Sequence, residues 1–368
     1  MHSGGMVQVP RLSSRRARWA VPAGALVVTG GILAGSLISS AQAAPGLPAR
    51  TPAQLLAQVA DATTPPLTGT VVETASFGLP SLPATGNPTS LSSLLTGSHT
   101  VRVWYASPRH FRLAVPSSLS ESDVIRDGST AWLWQSTLNK VTKYTLPASA
   151  PAEAVPHAPV TPQEAAKQVL AAVGPTTAVS VNPNVTVAGQ AAYALVLAPK
   201  DHRSLVGQVQ IDVDGKNGVP LRLQVFARGA SSPAFQVGFT AVQFVTPAAA
   251  DLSFTPPAGA TVTQENLSSD HGKPADTGGA TTIGKDWLTV LKLPSTDLTP
   301  GRPAAGGGSA NDDRVLSALL AAATPVHGAW GSGRLLRTSL VSVLITDSGT
   351  AYIGAVEPAV LYDAAGKS

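Results

Sequence analysis

Short segments of alternating side chains constrain the fold of this chain most strongly. In QVQIDVD (208–214) every second residue is Val or Ile, and in FQVGF (235–239) every second residue is Phe or Val. A period of two places these apolar side chains on one face of a β-strand. Because the segments are short, consecutive and joined by turns such as DVDGKNGVP (212–220), they predict an antiparallel meander with one covered face and one hydrated face.

The segment VIRDGSTAWLWQSTLNKVTKYTL (124–146) extends this sheet. Asp127-Gly128 predicts a tight turn, because glycine tolerates the positive φ angle of hairpin turns. The runs around it are rich in β-branched and aromatic residues, which favours strands. Trp132 and Trp134 lie two residues apart and therefore share one face of a strand. Two helices cannot easily fill the concave side of a sheet this long, so the sheet is expected to curl and either to pack a core or to leave a groove.

The same patterns predict the other elements of the chain. Amphipathic helices are expected at residues 51–62 and 161–174, which both begin with Thr-Pro. Further strands are expected at Gly69–Phe77, Thr100–Tyr105, Phe111–Val115, Tyr193–Leu197, Gly207–Val213, Leu221–Phe226 and Phe235–Phe239. The tail predicts a strand at Trp287–Leu293, a helix at Asp313–Ala323, and a hairpin of Gly333–Ile345 with Thr350–Val356.

The N-terminal region carries the excess positive charge. Four arginines and no acidic residue precede residue 43, which leaves 21 basic and 21 acidic residues in the remainder. Because this remainder has no net charge, it does not indicate a positively charged surface that would bind nucleic acid. The basic start, the apolar run and the sequence Ala41-Gln42-Ala43 predict an export signal cleaved after Ala43. An uncleaved membrane anchor formed by Trp19–Ser40 is the alternative.

The chain contains no cysteine, and no catalytic motif emerges from it. The missing cysteines exclude disulfides, thiol catalysis and lipidation through a lipobox cysteine. The seven histidines form no metal-binding pair, so neither a metal nor a cofactor is expected. GATTIGKD (279–286) nearly matches a phosphate-binding loop, but Asp286 replaces the required hydroxyl residue. The sequence therefore favours a binding protein over an enzyme.

Four regions follow from these patterns. Residues 1–43 are expected to form the signal peptide or anchor, and residues 44–263 the large β-rich domain. Residues 264–283 are polar and lack an apolar period, which predicts a linker. Residues 284–368 are expected to form a small C-terminal α+β appendage.

The runs VRVWYASPRHFRLAV and VIRDGSTAWLWQSTLNKVTKYTL resemble the core of the LolA-type lipoprotein carrier and RseB superfamily. FTPPAGATV (254–262) is similar to the phrase that often closes that domain, and the resemblance covers about Thr51–Val262. It implies an α+β fold, with a curved antiparallel sheet (an open or half barrel) and capping helices over an apolar cavity. It also implies an exported, non-enzymatic protein of actinobacterial type that holds lipid or lipoprotein acyl chains for extracytoplasmic transport or sorting.

Two departures and one alternative accompany this resemblance. The carriers place a basic residue before the strand-end proline, whereas this chain has Ser107 before Pro108 and Arg109 after it. RseB-type regulators add a second small domain, so a sensor module that binds a membrane-protein partner is the alternative function. The residues expected to line the cavity, for which ordinary core packing is equally open, are Val101, Val103, Phe111, Leu113, Trp132, Trp134, Leu195 and Leu197.

Overall fold

The computed structural model describes residues 46–79, 96–117, 120–147, 150, 155, 158–266, 280–294 and 317–367. The signal segment 1–43 lies outside these ranges, as do residues 267–279 of the linker and the start of the helix expected at Asp313–Ala323. Residues 317–322 of that helix are helical. No helix in the described ranges is long and apolar enough to cross a membrane.

Twelve strands form the first sheet. They are, as β1 to β12 in chain order, Leu67–Ser76, Thr96–Ser107, His110–Pro116, Glu121–Asp127, Thr130–Gln135, Lys140–Thr145, Thr177–Val187, Gln190–Pro199, Val206–Asp214, Pro220–Ala227, Pro233–Gln243 and Thr261–Asn266. Every strand predicted for this region is present. The strands β7 and β12 were not predicted, because Pro183 interrupts the first and the second is almost wholly exposed.

The sheet is open, with the strand order β12-β6-β5-β4-β3-β2-β1-β11-β10-β9-β8-β7. All neighbours pair antiparallel except β12 and β6, which pair in parallel. Cα atoms of β7 and β11 approach within 8 Å. In a flat sheet these two strands would stand about 19 Å apart, at roughly 4.8 Å per strand. The sheet therefore curls at this end, and the expectation of an open, antiparallel-rich α+β fold is confirmed.

Two helices contribute residues to the apolar core of the first sheet. Helix α1, Pro52–Asp61, has a capping box in which the Thr51 hydroxyl accepts from the Gln54 amide and the Gln54 side chain accepts from the Thr51 amide. Helix α2, Pro162–Leu170, is capped by the Thr161 hydroxyl and contacts β10 and β11. Leu55 of α1 and the buried alanines of α2 join the apolar core. We call the face of the sheet that carries this core the core face, and the opposite one the outer face.

A second sheet of six strands follows. Its strands β13 to β18 are Thr281–Ile283, Val290–Pro294, Thr324–Gly328, Gly331–Arg337, Ser342–Thr346 and Thr350–Gly354, in the order β13-β14-β18-β17-β16-β15. The strand predicted at Trp287–Leu293 starts later, because Asp286–Leu288 form a 3-10 turn. The segment Gly333–Ile345, predicted as one arm of a hairpin, is divided into β16 and β17. The short helix α3, Ala249–Leu252, and the C-terminal helix α4, Pro358–Gly366, were not predicted.

The second sheet packs against the first. The Trp287 indole Nε1 donates to the Thr177 hydroxyl at 2.8 Å, and Trp287 belongs to the apolar core of the first sheet. The Thr176 hydroxyl donates to the Asp286 carboxylate at 3.0 Å. Ser204 and Val356 form an isolated β-bridge between the two parts. Asp286, which excluded a phosphate-binding loop in the sequence, thus lies at the contact between the sheets.

These contacts predict that the two sheets remain associated after the chain between them is cut. A protease of broad specificity should cut within residues 267–279, since this segment is polar and has no apolar period. The two fragments should co-elute in size-exclusion chromatography under native conditions and separate in denaturant. Separate elution under native conditions would show that the contacts around Trp287 are too weak to hold the parts together.

Candidate functional site

Six of the eight side chains expected to line a cavity lie together on the core face. Each is between 0% and 6% exposed, and all belong to one continuous apolar cluster. Val103 on β2 pairs with Leu113 on β3, and Leu195 on β8 pairs with Ile211 on β9. The side chains pack against one another in this state. Their contact with a ligand stays a prediction. The six residues are Val101, Val103, Phe111, Leu113, Leu195 and Leu197.

The other two, Trp132 and Trp134, lie on the outer face. Their neighbours Ala131 and Leu133 are buried in the core cluster, so the pleat directs both indoles to the opposite side. The prediction that the two tryptophans share a face is confirmed. The expectation that all eight side chains line one cavity is corrected, because alternation alone shows which residues share a face but not which face is covered.

A crossover segment covers the outer face at Trp132. We call residues 244–260, which connect β11 to β12, the strap. The ring of Phe254 lies 5.7 Å from the Trp132 ring, and α3 within the strap contacts β3 and β4. The Asn139 side-chain amide donates to the Gly259 carbonyl at 2.9 Å. Lys143 Nζ lies 5.1 Å from the Trp132 ring centroid, which adds a cation–π contact. The Trp132 side chain therefore packs against the strap.

A buried arginine on the core face was not singled out from the sequence. Arg126 of β4 is fully buried. Its Nη2 donates to the Ala150 carbonyl at 2.7 Å and its Nε donates to the Gly128 carbonyl at 3.2 Å. The sequence carried a signal, since Arg126 is in phase with the core residue Val124 two positions earlier. Arg126 fixes the chain that follows β6 over this half of the core face.

That chain forms part of the cover of the core face. We call Ala150, Val155, Ala158 and Val160, which lie between β6 and α2, the cover segment. Val155 is buried, and the other three are partly buried against the core cluster. Among the described residues, the core cluster is completed by α1, α2 and the cover segment, together with Trp287, Leu340 and Ala355 of the C-terminal part.

The core face also contains a buried acid–base pair. Glu73 on β1 and His99 on β2 are direct cross-strand neighbours and are 2% and 1% exposed. Burial raises the pKa of Glu73 to about 8 and lowers the pKa of His99 to about 4. Glu73 Oε1 has no hydrogen-bond partner in the described part of the chain. Both side chains are therefore neutral in the folded protein near pH 7.

A second polar cluster lies on the outer face. The Arg112 guanidinium forms an ion pair with the buried carboxylate of Asp123 and lies 5.5 Å from the centroid of the Trp104 ring. Burial raises the pKa of Asp123 to about 6, and the positive charge of Arg112 opposes this rise. The ion pair joins β3 to β4 beneath the strap.

Two grooves stand out among the described residues. The larger, of about 270 Å³, lies over β1 and is lined by residues that include Arg102, Val103 and Trp104. The smaller, of about 170 Å³, lies between α4 and the second sheet, and Leu288 and Val360 are among its lining residues. Neither is an enclosed space on the core face. A ligand at the predicted lining residues would therefore have to displace the packed cover.

No family model matches the chain, and no curated protein sequence matches it. Solved structures do match. The MucA/MucB complex of Pseudomonas aeruginosa aligns at 17% identity and a TM-score of 0.42, over 85% of this chain and 96% of that one. A LolA-superfamily protein from Nitrosomonas europaea aligns at 9% identity and a TM-score of 0.24, over 56% of this chain and 99% of that one. A putative outer-membrane lipoprotein-sorting domain from Vibrio parahaemolyticus aligns at 10% identity and a TM-score of 0.20, over 52% of this chain and 90% of that one.

The matching structures carry the names that the sequence resemblance indicated. Their identities and TM-scores are low, so the ligands and partners of these proteins are not transferred to this chain.

The buried Glu73 predicts a pH-dependent gain of stability for Glu73→Gln. The pKa of Glu73 in the folded protein is about 8, above the ordinary glutamate value of 4.5. The free energy of unfolding therefore falls as the pH rises from 4.5 towards 8. At pH 7 the substitution should increase the free energy of unfolding by about 3 kcal/mol, and near pH 4.5 it should change little. Urea unfolding at both pH values measures the difference.

The exposed Glu265 provides a control for this prediction, because Glu265→Gln should leave the free energy of unfolding within about 0.5 kcal/mol at both pH values. A Glu73→Gln protein that is less stable than wild type at pH 7 would show that the carboxylate is ionised and paired in the folded state.

Proposed function

We propose that the protein is an exported, non-catalytic binding protein that holds lipid or lipoprotein acyl chains against the core face of the first sheet. Its role would be extracytoplasmic transport or sorting. The observation that carries this proposal is the construction of the core face. A continuous apolar surface extends across the curled sheet, and part of its cover is the cover segment, which Arg126 holds through a hydrogen bond to the Ala150 carbonyl.

The energetics favour exchange of this cover for an acyl chain. Burying a methylene group stabilises by about 0.8 kcal/mol, so a sixteen-carbon chain gains roughly 10 kcal/mol. Uncovering Val155 and its partly buried neighbours costs roughly 5 kcal/mol on the same scale. The free energy gained by burying the acyl chain therefore exceeds the free energy lost when the cover segment is uncovered.

Arg126 controls this exchange in the proposal. Each hydrogen bond to a backbone carbonyl contributes about 0.5–1.5 kcal/mol, and more when the donor is charged. The guanidinium thus holds the cover segment in place while the core face is empty. The Arg126 guanidinium donates to main-chain carbonyls, those of Ala150 and Gly128. The cover can therefore detach without breaking an ion pair at either contact.

The N-terminal sequence supports an extracytoplasmic location. Residues 1–43 combine a basic start, an apolar run and a small-residue cleavage site. Cleavage after Ala43 gives a released protein, and retention of Trp19–Ser40 gives one attached to the membrane surface. Both forms place the binding domain outside the cytoplasm.

The proposal predicts that Arg126→Met accelerates acyl uptake. Losing the hydrogen bond to Ala150 should loosen the cover segment and raise the uptake rate roughly twofold to tenfold. Stopped-flow fluorescence with a pyrene-labelled hexadecanoic acid measures the rate. Native mass spectrometry of the full mature chain then reports whether one acyl chain is bound.

Arg109→Met is the matched control, since Arg109 is exposed in the turn between β2 and β3 and should leave the uptake rate unchanged. Thermal unfolding establishes that both variants are folded. If folded wild-type and Arg126→Met proteins both fail to bind hexadecanoic acid and a triacylated lipopeptide, the acyl-binding proposal is wrong.

A regulatory module that binds a membrane-protein partner is the second candidate. The dense packing of the core face favours it, because six of the predicted lining residues are buried against one another in a single apolar cluster. The second sheet, docked through Trp287 and Asp286, adds surface for such a partner. Absence of acyl binding together with a stoichiometric complex with a purified membrane-protein segment would support this candidate.

A further inference from the structure

The groove over β1 opens on the face of the sheet opposite the proposed acyl site. Its side chains belong to three adjacent strands, with β1 in the centre and β2 and β11 on either side. We call this the outer groove and define it by the outer-face side chains Thr68, Thr70, Arg102, Trp104, Ala241 and Gln243.

Two cross-strand rows shape the outer groove. In the first row Thr68 pairs with Trp104 on one side and with Gln243 on the other. In the second row Thr70 pairs with Arg102 and with Ala241. The central strand thus carries short side chains, with the long Arg102 and Trp104 on the β2 flank and Gln243 next to the short Ala241 on the β11 flank. The register shift next to Thr70 adds local twist, which is common at binding sites on sheets.

The outer groove carries an uncompensated positive charge. Arg102 is exposed and forms no ion pair within the described residues. Arg112, the nearest arginine on the next strand, is already paired with the buried Asp123. A guanidinium without a carboxylate partner offers two parallel donors to an anionic group.

The aromatic side chain of Trp104 lines the outer groove together with Arg102. Trp104 is half-buried, and the Arg112 guanidinium lies 5.5 Å from its ring centroid, so the indole has a fixed orientation. An indole that is partly open to solvent provides a flat apolar surface next to polar groups. The hydroxyls of Thr68 and Thr70 and the amide of Gln243 supply hydrogen-bond donors and acceptors within the same groove.

The topology excludes recognition by strand addition at this place. β1 is paired on both sides, by β2 and β11, so the backbone has no free edge for an extended peptide. A ligand must be recognised by side chains that project from the face of the sheet. The volume of about 270 Å³ is below the roughly 300–1,000 Å³ typical of pockets for drug-sized ligands, which suits a single ring.

We propose that the outer groove binds one acidic sugar unit of an anionic glycan. Arg102 pairs with the carboxylate of the sugar, and Trp104 packs against the face of the ring that carries C–H groups. Thr68, Thr70 and Gln243 hydrogen-bond to its hydroxyls. This site is independent of acyl binding, since the core face and the outer groove lie on opposite sides of the sheet.

Titration calorimetry of the full mature chain with tetragalacturonate tests the site. The acid should bind, and its methyl ester should bind at least about tenfold more weakly, because the ester cannot pair with a guanidinium. Arg102→Gln should cause a similar loss of affinity for the acid and remove the difference between acid and ester. Arg109→Gln, at an exposed position away from the groove, should bind as wild type does.

A variant at Trp104 separates a sugar from other anions. Trp104→Phe should retain part of the affinity and Trp104→Ala should lose most of it, with thermal unfolding confirming that both are folded. Equal binding of acid and ester would overturn the role of Arg102. Equal or tighter binding of a tetra-aspartate peptide would overturn the choice of a sugar, and no binding of tetragalacturonate would overturn the proposal.

Discussion

An open sheet of twelve strands has two large faces, and the apolar side chains on them must be covered for the rest of this structure to form. On the core face, burial of apolar side chains from nearly every strand builds one continuous cluster, at about 25 cal/mol for each Å² removed from water. Helices α1 and α2 and the cover segment complete this cluster. On the outer face the strap covers the region around Trp132, and elsewhere exposed side chains such as Arg102 occur beside buried ones such as Asp212, which is paired with Arg222. The curl, the strap and the docked second sheet are all responses to this one requirement.

Buried polar groups mark the places where the packing departs from maximum stability. Arg126 is satisfied by carbonyls, and Asp123 by Arg112, so these two groups link segments of chain. Glu73 is different, because burial holds its carboxyl in the neutral form and leaves Oε1 without a partner in the described residues. A natural core that retains such a group gives up stability at neutral pH. Unfavourable groups of this kind are common where a protein binds or opens.

The sequence predicted the elements of the first sheet well, because their signals are local. Period-two alternation, the Asp127-Gly128 turn and the Thr-Pro helix starts each depend on residues within one element, and all three appear in the structure. The strands β7 and β12 escaped prediction since Pro183 breaks the pattern of one and exposure removes the pattern of the other. Among the candidate site residues, six were placed on a common face, whereas Trp132 and Trp134 lie on the other.

The sequence by itself determined which residues alternate, where the chain turns, that the chain has no thiol chemistry and that residues 44–368 carry no net charge. The tertiary structure decided which face of each strand is covered, and by what. The strap joins Phe254 to Trp132 across more than a hundred residues, and Arg126 reaches a carbonyl 24 residues away. Alternation is a property of one strand, but burial depends on the segments that pack above it. For this reason the tryptophans could be assigned to one face from sequence, while only the fold showed that the strap, and not a cavity, lies over them.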